Sequence, residues 1–196
     1  MALTLTGAPA VEPVTVSAAK AHLRIDGNAE DILIASLIVT SRLHVEAALG
    51  LSLIKQQWRL TLDKWPEPRW SKGRAVRFPI RPIRSVAEVR VRGADGTPAV
   101  LAPQSYLLDQ DALTPRLVPR DGSWPAPGVP AGGIEIDVEA GMGEEADDVP
   151  EPIRHAILLL VAHWYEHRDP MEIGTVGAAI PAAVSDLLKP YREVRL

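Results

Sequence analysis

A mixed α+β fold is predicted by this sequence: a mainly helical body interrupted by a strand-rich, loop-rich insertion. Three observations predict it. Apolar residues recur at helical spacing toward both ends, whereas in the middle they alternate with polar ones, the period of a half-buried strand. The eighteen prolines and fourteen glycines fall mostly between positions 66 and 152, where they punctuate the chain and end helices. At 196 residues and 46% hydrophobic content the chain has enough apolar material for one ordinary domain with a real core. A single domain over 1–196 is therefore expected. It has helices over about 15–50, strands over about 54–140, a helix over about 150–168 and a linker and arm over about 170–196.

Thr15 to Arg24 reads as a short helix with Thr15 or Ser17 as N-cap, because a hydroxyl there satisfies a free N–H of the first turn. Asp26-Gly27-Asn28 breaks it. A longer helix follows, with Asn28 as cap and Glu30 and Asp31 in the first turn, where the helix dipole favours carboxylates. Its apolar positions Ile34, Leu37, Ile38, Val45, Ala48 and Leu49 keep helical spacing, with Arg42, His44 and Glu46 as polar interruptions. Gly50 stands where a glycine in the left-handed conformation ends a helix.

The period then changes. In Trp58–Asp63 one face is Trp58, Leu60 and Leu62 and the other is polar. Val76–Ile80 is extended, and Pro79 argues for an edge or a strand end. Val86–Arg92 alternates again and runs into Gly93–Thr97, a hairpin turn whose return strand begins at Val100. Tyr106–Leu108, Arg116–Val118 and Ile134–Glu139 are further short strands, and Trp124 is the expected anchor of the Pro/Gly-rich loop between the last two. Asp147 to Pro152 opens the next helix with acidic residues and prolines, both tolerated at a helix N-terminus. Met171–Ala179 is a small-residue linker, and Ala182–Lys189 is a final short helix that Pro190 ends.

Composition excludes several classes. With no cysteine, the chain has no disulfide framework and no thiol nucleophile or thiolate metal site. The N-terminus lacks the basic segment of a secretory signal. The longest uninterrupted apolar run, Ala156–Ala162, is far below the roughly 20 residues that cross a bilayer, so a soluble protein is expected. Net charge is −4 but unevenly laid out. Eleven basic residues face three acidic ones between Lys55 and Arg92, and eight acidic residues stand without a basic one between Glu135 and Glu151. One reading is a DNA-binding module on the basic strands 59–92, using Arg59, Arg74, Arg77, Arg81 and Arg84. The other is electrostatic complementarity, within a subunit or between neighbours, joining Arg77, Arg81, Arg84 and Arg90 to Glu135, Asp137 and Glu139. The basic residues are not interleaved with stacking aromatics, which favours complementarity.

His163, Glu166 and His167 spell H-x-x-E-H, an inverted zinc-peptidase motif with two imidazoles on one helical face. Catalytic zinc needs a third protein ligand. Asp169 and Glu172 are too close in sequence to supply it from a separate element, and Asp186 and Glu193 lie on a short tail. The other histidines, His22, His44 and His155, are scattered. The plainer reading is a polar helix end in which Trp164 and Tyr165 pack. Gly141-x-Gly143 lacks the third glycine of a phosphate loop, no G-x-S-x-G elbow exists, and Glu144–Asp148 lacks the ligand pattern of an EF-hand. No catalytic residue, metal site or cofactor is expected.

Several segments carry a resemblance. They are Ala18-Ala19-Lys20-Ala21-His22-Leu23-Arg24-Ile25-Asp26, Gln57-Trp58-Arg59-Leu60-Thr61-Leu62-Asp63 and Pro79-Ile80-Arg81-Pro82-Ile83-Arg84-Ser85-Val86. Gly122-Ser123-Trp124-Pro125, Ala140-Gly141-Met142-Gly143 and Leu158-Leu159-Leu160-Val161-Ala162-His163-Trp164-Tyr165-Glu166 complete the set. In this order they resemble the head–tail connector (adaptor) family of long-tailed phages, prophages and gene transfer agents. Met142 stands where members often carry an aromatic. The resemblance implies a non-enzymatic subunit made in the host cytoplasm and housed in the particle neck. About a dozen copies would form a closed ring under the portal protein. That ring extends the DNA channel, lets double-stranded DNA pass without specific binding, and docks a tail-side connector or stopper protein. The resemblance also implies that the C-terminal segment reaches the portal. Its stripe of Ile180, Val184, Leu187 and Leu188 is too short to be stable alone, since isolated helices below ~12–15 residues are marginal. It must pack on its own body or on a partner. Val184, Leu187, Leu188, Tyr191, Arg192 and Arg195 are the expected portal contacts.

Overall fold

The computed structural model describes residues 1–67, 75–110, 112, 114–167 and 180–192. Helices and antiparallel sheet are both present, as the mixed α+β reading requires. The chain gathers into two compact units, one made of Met1–Pro9 and Lys55–Gly141, the other of Ala10–Ile54 and Met142–Leu196.

The second unit is helical: α1 (Val16–Leu23), α2 (Asp31–Leu49), α3 (Glu151–Glu166) and α4 (Ala182–Leu188). Thr15 caps α1 as expected, its Oγ1 accepting the Ala18 N–H at 3.1 Å. The start of α2 is a correction. It lies at Asp31, and Glu30 at the cap makes no side-chain bond. The Asn28 side chain is engaged elsewhere, its Oδ1 accepting from Lys20 Nζ at 2.8 Å, while the same ammonium pairs with Asp31. Gly50 ends the helix at φ 63°, where a Cβ would be strained. Ile34, Ile38, Val45 and Leu49 of α2 share one core with Ile153, Ala156, Ile157, Leu160 and Val161 of α3. By length and composition α2 is apolar enough to cross a bilayer, although Arg42 and Glu46 interrupt its apolar run. One face of it, with Ile34, Ile38, Val45 and Leu49, packs into the core.

Before α3 the chain makes a 3-10 turn over Ala146–Asp148. Asp148 Oδ2 accepts the N–H groups of Glu144 and Glu145 at 2.8 and 2.9 Å. A Cβ on Gly143 would lie 1.9 Å from that oxygen, so only glycine fits there. The final helix stops at Leu188, and a 3-10 turn carries the chain through Pro190 to Tyr191. The expected linker at 171–179 lies outside the described residues.

The first unit holds two antiparallel sheets. The larger has the order β1-β2-β8-β4-β5 and the smaller β3-β7-β6. The strands are β1 (Ala2–Gly7), β2 (Gln56–Leu62), β3 (Val76–Arg77), β4 (Ile83–Arg92), β5 (Pro98–Val100), β6 (Tyr106–Asp109), β7 (Arg116–Pro119) and β8 (Ile134–Ala140). The alternation read from the sequence sets the faces: Leu60, Leu62, Val89, Val91, Ile134, Ile136 and Val138 point into the core. Trp124 is the loop's anchor. It stacks on Trp65 with ring centroids 4.2 Å apart, and Trp65 Nε1–H donates to the Pro125 carbonyl. The sequence reading missed β1 and began β4 three residues late.

Candidate functional site

The polar face of the large sheet is built around β8. Its buried Ile134, Ile136, Val138 and Ala140 alternate with Glu135, Asp137 and Glu139. The register of β2 and β4 on either side then puts a basic residue opposite Asp137 and another opposite Glu135. Arg59 lies opposite Asp137, and Arg90 lies opposite Glu135. Arg59 grips Asp137 through two bonds, Nε to Oδ1 at 2.7 Å and NH2 to Oδ2 at 2.9 Å. Arg90 reaches Glu135 at 3.2 Å and Glu88 at 2.9 Å and also binds Asp137. Arg92 binds Glu135. At the far end Ser85 Oγ donates to Glu139 at 3.1 Å, and Lys55 Nζ stands 3.8 Å from the same carboxylate. The Arg92 bond holds Glu135 below the usual carboxylate range, and the Arg59 bond does the same for Asp137.

Arg90, Glu135 and Asp137, expected at a subunit interface, therefore meet within one chain. Arg77 and Arg84 are exposed and Arg81 is half-buried. Arg77 lies opposite Arg116 in the small sheet. Of the residues named for DNA, Arg59 is committed to Asp137, and Arg74 lies outside the described residues.

A second ionic cluster was not foreseen. Arg42 and Glu46, one turn apart on α2, look like polar interruptions in the sequence but are buried. Arg42 Nε donates to Glu12 at 2.7 Å and NH1 to Glu46 at 2.7 Å, while the other oxygen of Glu46 accepts the Leu53 N–H at 2.8 Å. The i,i+4 spacing was a usable signal. The partners at positions 12 and 53 were not.

At the C-terminal arm, Val184 and Leu188 are buried in the helical unit's own core, with Leu187 and Tyr191 half-buried against it and Arg192 exposed. Arg195 lies outside the described residues. The rings of His163 and His167 lie 4.6 Å apart, and His167 Nδ1 bonds the His163 carbonyl at 2.8 Å, which closes the helix end. His22 and His155, scattered in sequence, meet edge to face at 6.0 Å. Among the described residues no group of three His, Cys, Asp or Glu is placed to hold a metal ion.

These features define a class first: an α+β protein whose charged side chains bind one another within each unit. Comparison with known proteins then narrows it. No family model matches the chain, and no curated protein sequence does. Solved structures do. The chain is 29% identical to a chain of the virion of a native gene transfer agent particle, with a TM-score of 0.80, covering 100% of this chain and 97% of that one. It is 28% identical, at TM-score 0.80, to a chain in the neck of an empty gene transfer agent particle computed with C6 symmetry, with the same coverage. In the neck of a native particle computed with C12 symmetry the match is 27% identical at TM-score 0.74, again over 100% and 97%. The likeness to chains of gene transfer agent particles thus spans the whole of this chain.

Proposed function

We propose that this chain is a structural subunit of the neck of a gene transfer agent or phage-like particle, a head–tail connector. It assembles as a ring on the portal, lengthens the DNA channel and offers a surface to the tail-side protein. The full-length likeness to neck and virion chains carries this reading. The C12 and C6 symmetry of the neck structures supports a ring of identical copies. Closure makes each contact heterologous, so every copy offers two different surfaces.

The charged sheet face supports passage of DNA without tight binding, because Arg59, Arg90 and Arg92 already meet carboxylates. Exposed Arg77 is a basic residue offered to acidic groups of a neighbour. Val184 and Leu188 tie the arm to its own body, and exposed Arg192 is offered to the portal.

The deciding experiment mixes the purified chain with portal-bearing heads and images the particles by electron microscopy. A ring of this chain on the portal vertex is expected. Heads that stay bare, or a chain that binds elsewhere on the capsid, would reject the connector reading. Duplex DNA binding gives an independent check: affinity should be weak near physiological salt. Sub-micromolar affinity with a steep salt slope would favour the DNA-binding alternative.

A further inference from the structure

We propose that the outward face of α2 is a contact between neighbouring copies of this chain in the ring, an inference that rests on the neck-ring reading. The inner face of α2 is accounted for by Ile34, Ile38, Arg42, Val45 and Leu49. Its outer face has no such account. Ile32 is 89% exposed, Leu43 48% and Val39 36%. They are spaced seven and four apart and so fall on one stripe. The exposed positions between and beyond them are Ser36, Thr40, Ala47 and Ala48, so no exposed position of this helix carries a charge. Thr40 even turns its hydroxyl back onto the Ser36 carbonyl at 2.9 Å.

A helix face left in water normally carries charged residues. The exposed positions of α3 follow that rule at Glu151 and Glu166. The α2 stripe breaks it from Ile32 to Leu43, about 16.5 Å at about 1.5 Å per residue. Large side chains alternating with Ser, Thr and Ala form the ridges and grooves that let one helix receive another surface closely. This is the composition of an interface centre, where charged residues are depleted.

Two occupants compete with a second copy. A lipid bilayer would have to accept Arg42 and Glu46 near the middle of the span, and charges there are expensive. The portal is a single partner at one end of the ring, already assigned the C-terminal arm. A neighbouring copy is different in kind. Cyclic symmetry of the sort used for the similar necks presents the same face at the same radius on every subunit, next to a subunit that does not share it. An uncharged stripe repeated around a ring is covered once per contact.

The test has two stages. The full-length chain, with Leu43 replaced by the photo-crosslinker benzoylphenylalanine, is assembled on portal-bearing heads and imaged before irradiation. If no ring forms with the unsubstituted chain, the connector reading fails and this inference falls with it. In assembled rings, irradiation should give crosslinked dimers of this chain near about 42 kDa, twice 21.2 kDa, with higher multiples above. Crosslinks only to a different protein, or none between copies, overturn the proposal. Separately, Val39→Glu with Leu43→Glu changes two exposed positions and should leave the circular dichroism unchanged while reducing ring assembly at least tenfold. A folded double variant that assembles as well as the unsubstituted chain also overturns it.

Discussion

Two arginine clusters in this molecule use the same chemistry in different surroundings. On α2, Arg42 is 5% exposed and divides its guanidinium between Glu12 and Glu46. On the sheet, Arg59 is 37% exposed and shares a row of carboxylates with Arg90 and Arg92. The buried cluster has few members, and Arg42 and Glu46 have no route to water if a partner is lost. The sheet cluster has many members, each with another partner or solvent at hand. Removing one member should therefore be severe in the first and mild in the second.

The sharpest way to break this contrast is Arg42→Ala. It strands Glu46 in the helical core and should destabilise that unit by about 3–5 kcal/mol, the range for breaking a buried pair. Chemical denaturation followed by the helical circular dichroism band measures it. Combining Arg42→Met with Glu46→Gln should recover part of the loss, because the amide oxygen still accepts the Leu53 N–H while the unpaired charge is gone. On the sheet, Asp137→Ala should cost only about 1 kcal/mol, since Arg59 and Arg90 can turn to water or to Glu135. Tryptophan fluorescence reports that unit through Trp65 and Trp124. A loss as large as that of Arg42→Ala would erase the distinction.

Acid should act on the sheet in the same graded way. Glu135 and Asp137 are held below their ordinary values, so their contribution is fully present above the unfolded carboxylate range near ~4 and is lost as pH falls through the lower folded values. Stability of the sheet unit should drop between about pH 4 and the onset of acid unfolding. An Asp137→Asn variant should show a flatter acid limb. The smallest effect belongs to Lys55→Ala. Its 3.8 Å approach to Glu139 is a half-exposed pair, and the change should stay within about 0.5 kcal/mol.

The same contrast explains how much of the molecule its sequence made legible. Local signals read well. The Thr15 cap, the Gly50 stop and the alternation in Trp58–Asp63 each depend on residues a few positions apart, and each appears where expected. The strand Ala2–Gly7 carried the same alternation but stands apart in sequence from the other strands. Complementarity of basic and acidic segments was legible too. Whether the partner lay in the same chain was not, because the acidic strand comes last in the sheet's sequence yet sits between two basic ones. Arg59 and Asp137 are 78 residues apart, and no local period encodes that insertion. Arg42 and Glu46 were misread for a related reason. A charge on the inner face of a helix is recognised only when distant partners, here Glu12 and Leu53, are in view. The arm shows the limit from the other side: its apolar stripe was plain, but Val184 and Leu188 face the chain's own core.

The central place of β8 also sets a timetable. During synthesis β1 and β2 can pair once Leu62 has left the ribosome, and β4 follows with β5 but without β8. Neither half of the sheet can join the other until Ile134–Ala140 emerges, more than seventy residues after Leu62. At about 5–20 residues per second that is a wait of roughly four to fourteen seconds. Through that interval the nascent chain displays its arginines without the acids that later neutralise them and leaves the long edges of β2 and β4 open. The riskiest moment for this protein is thus the stretch of translation just before its last strand appears.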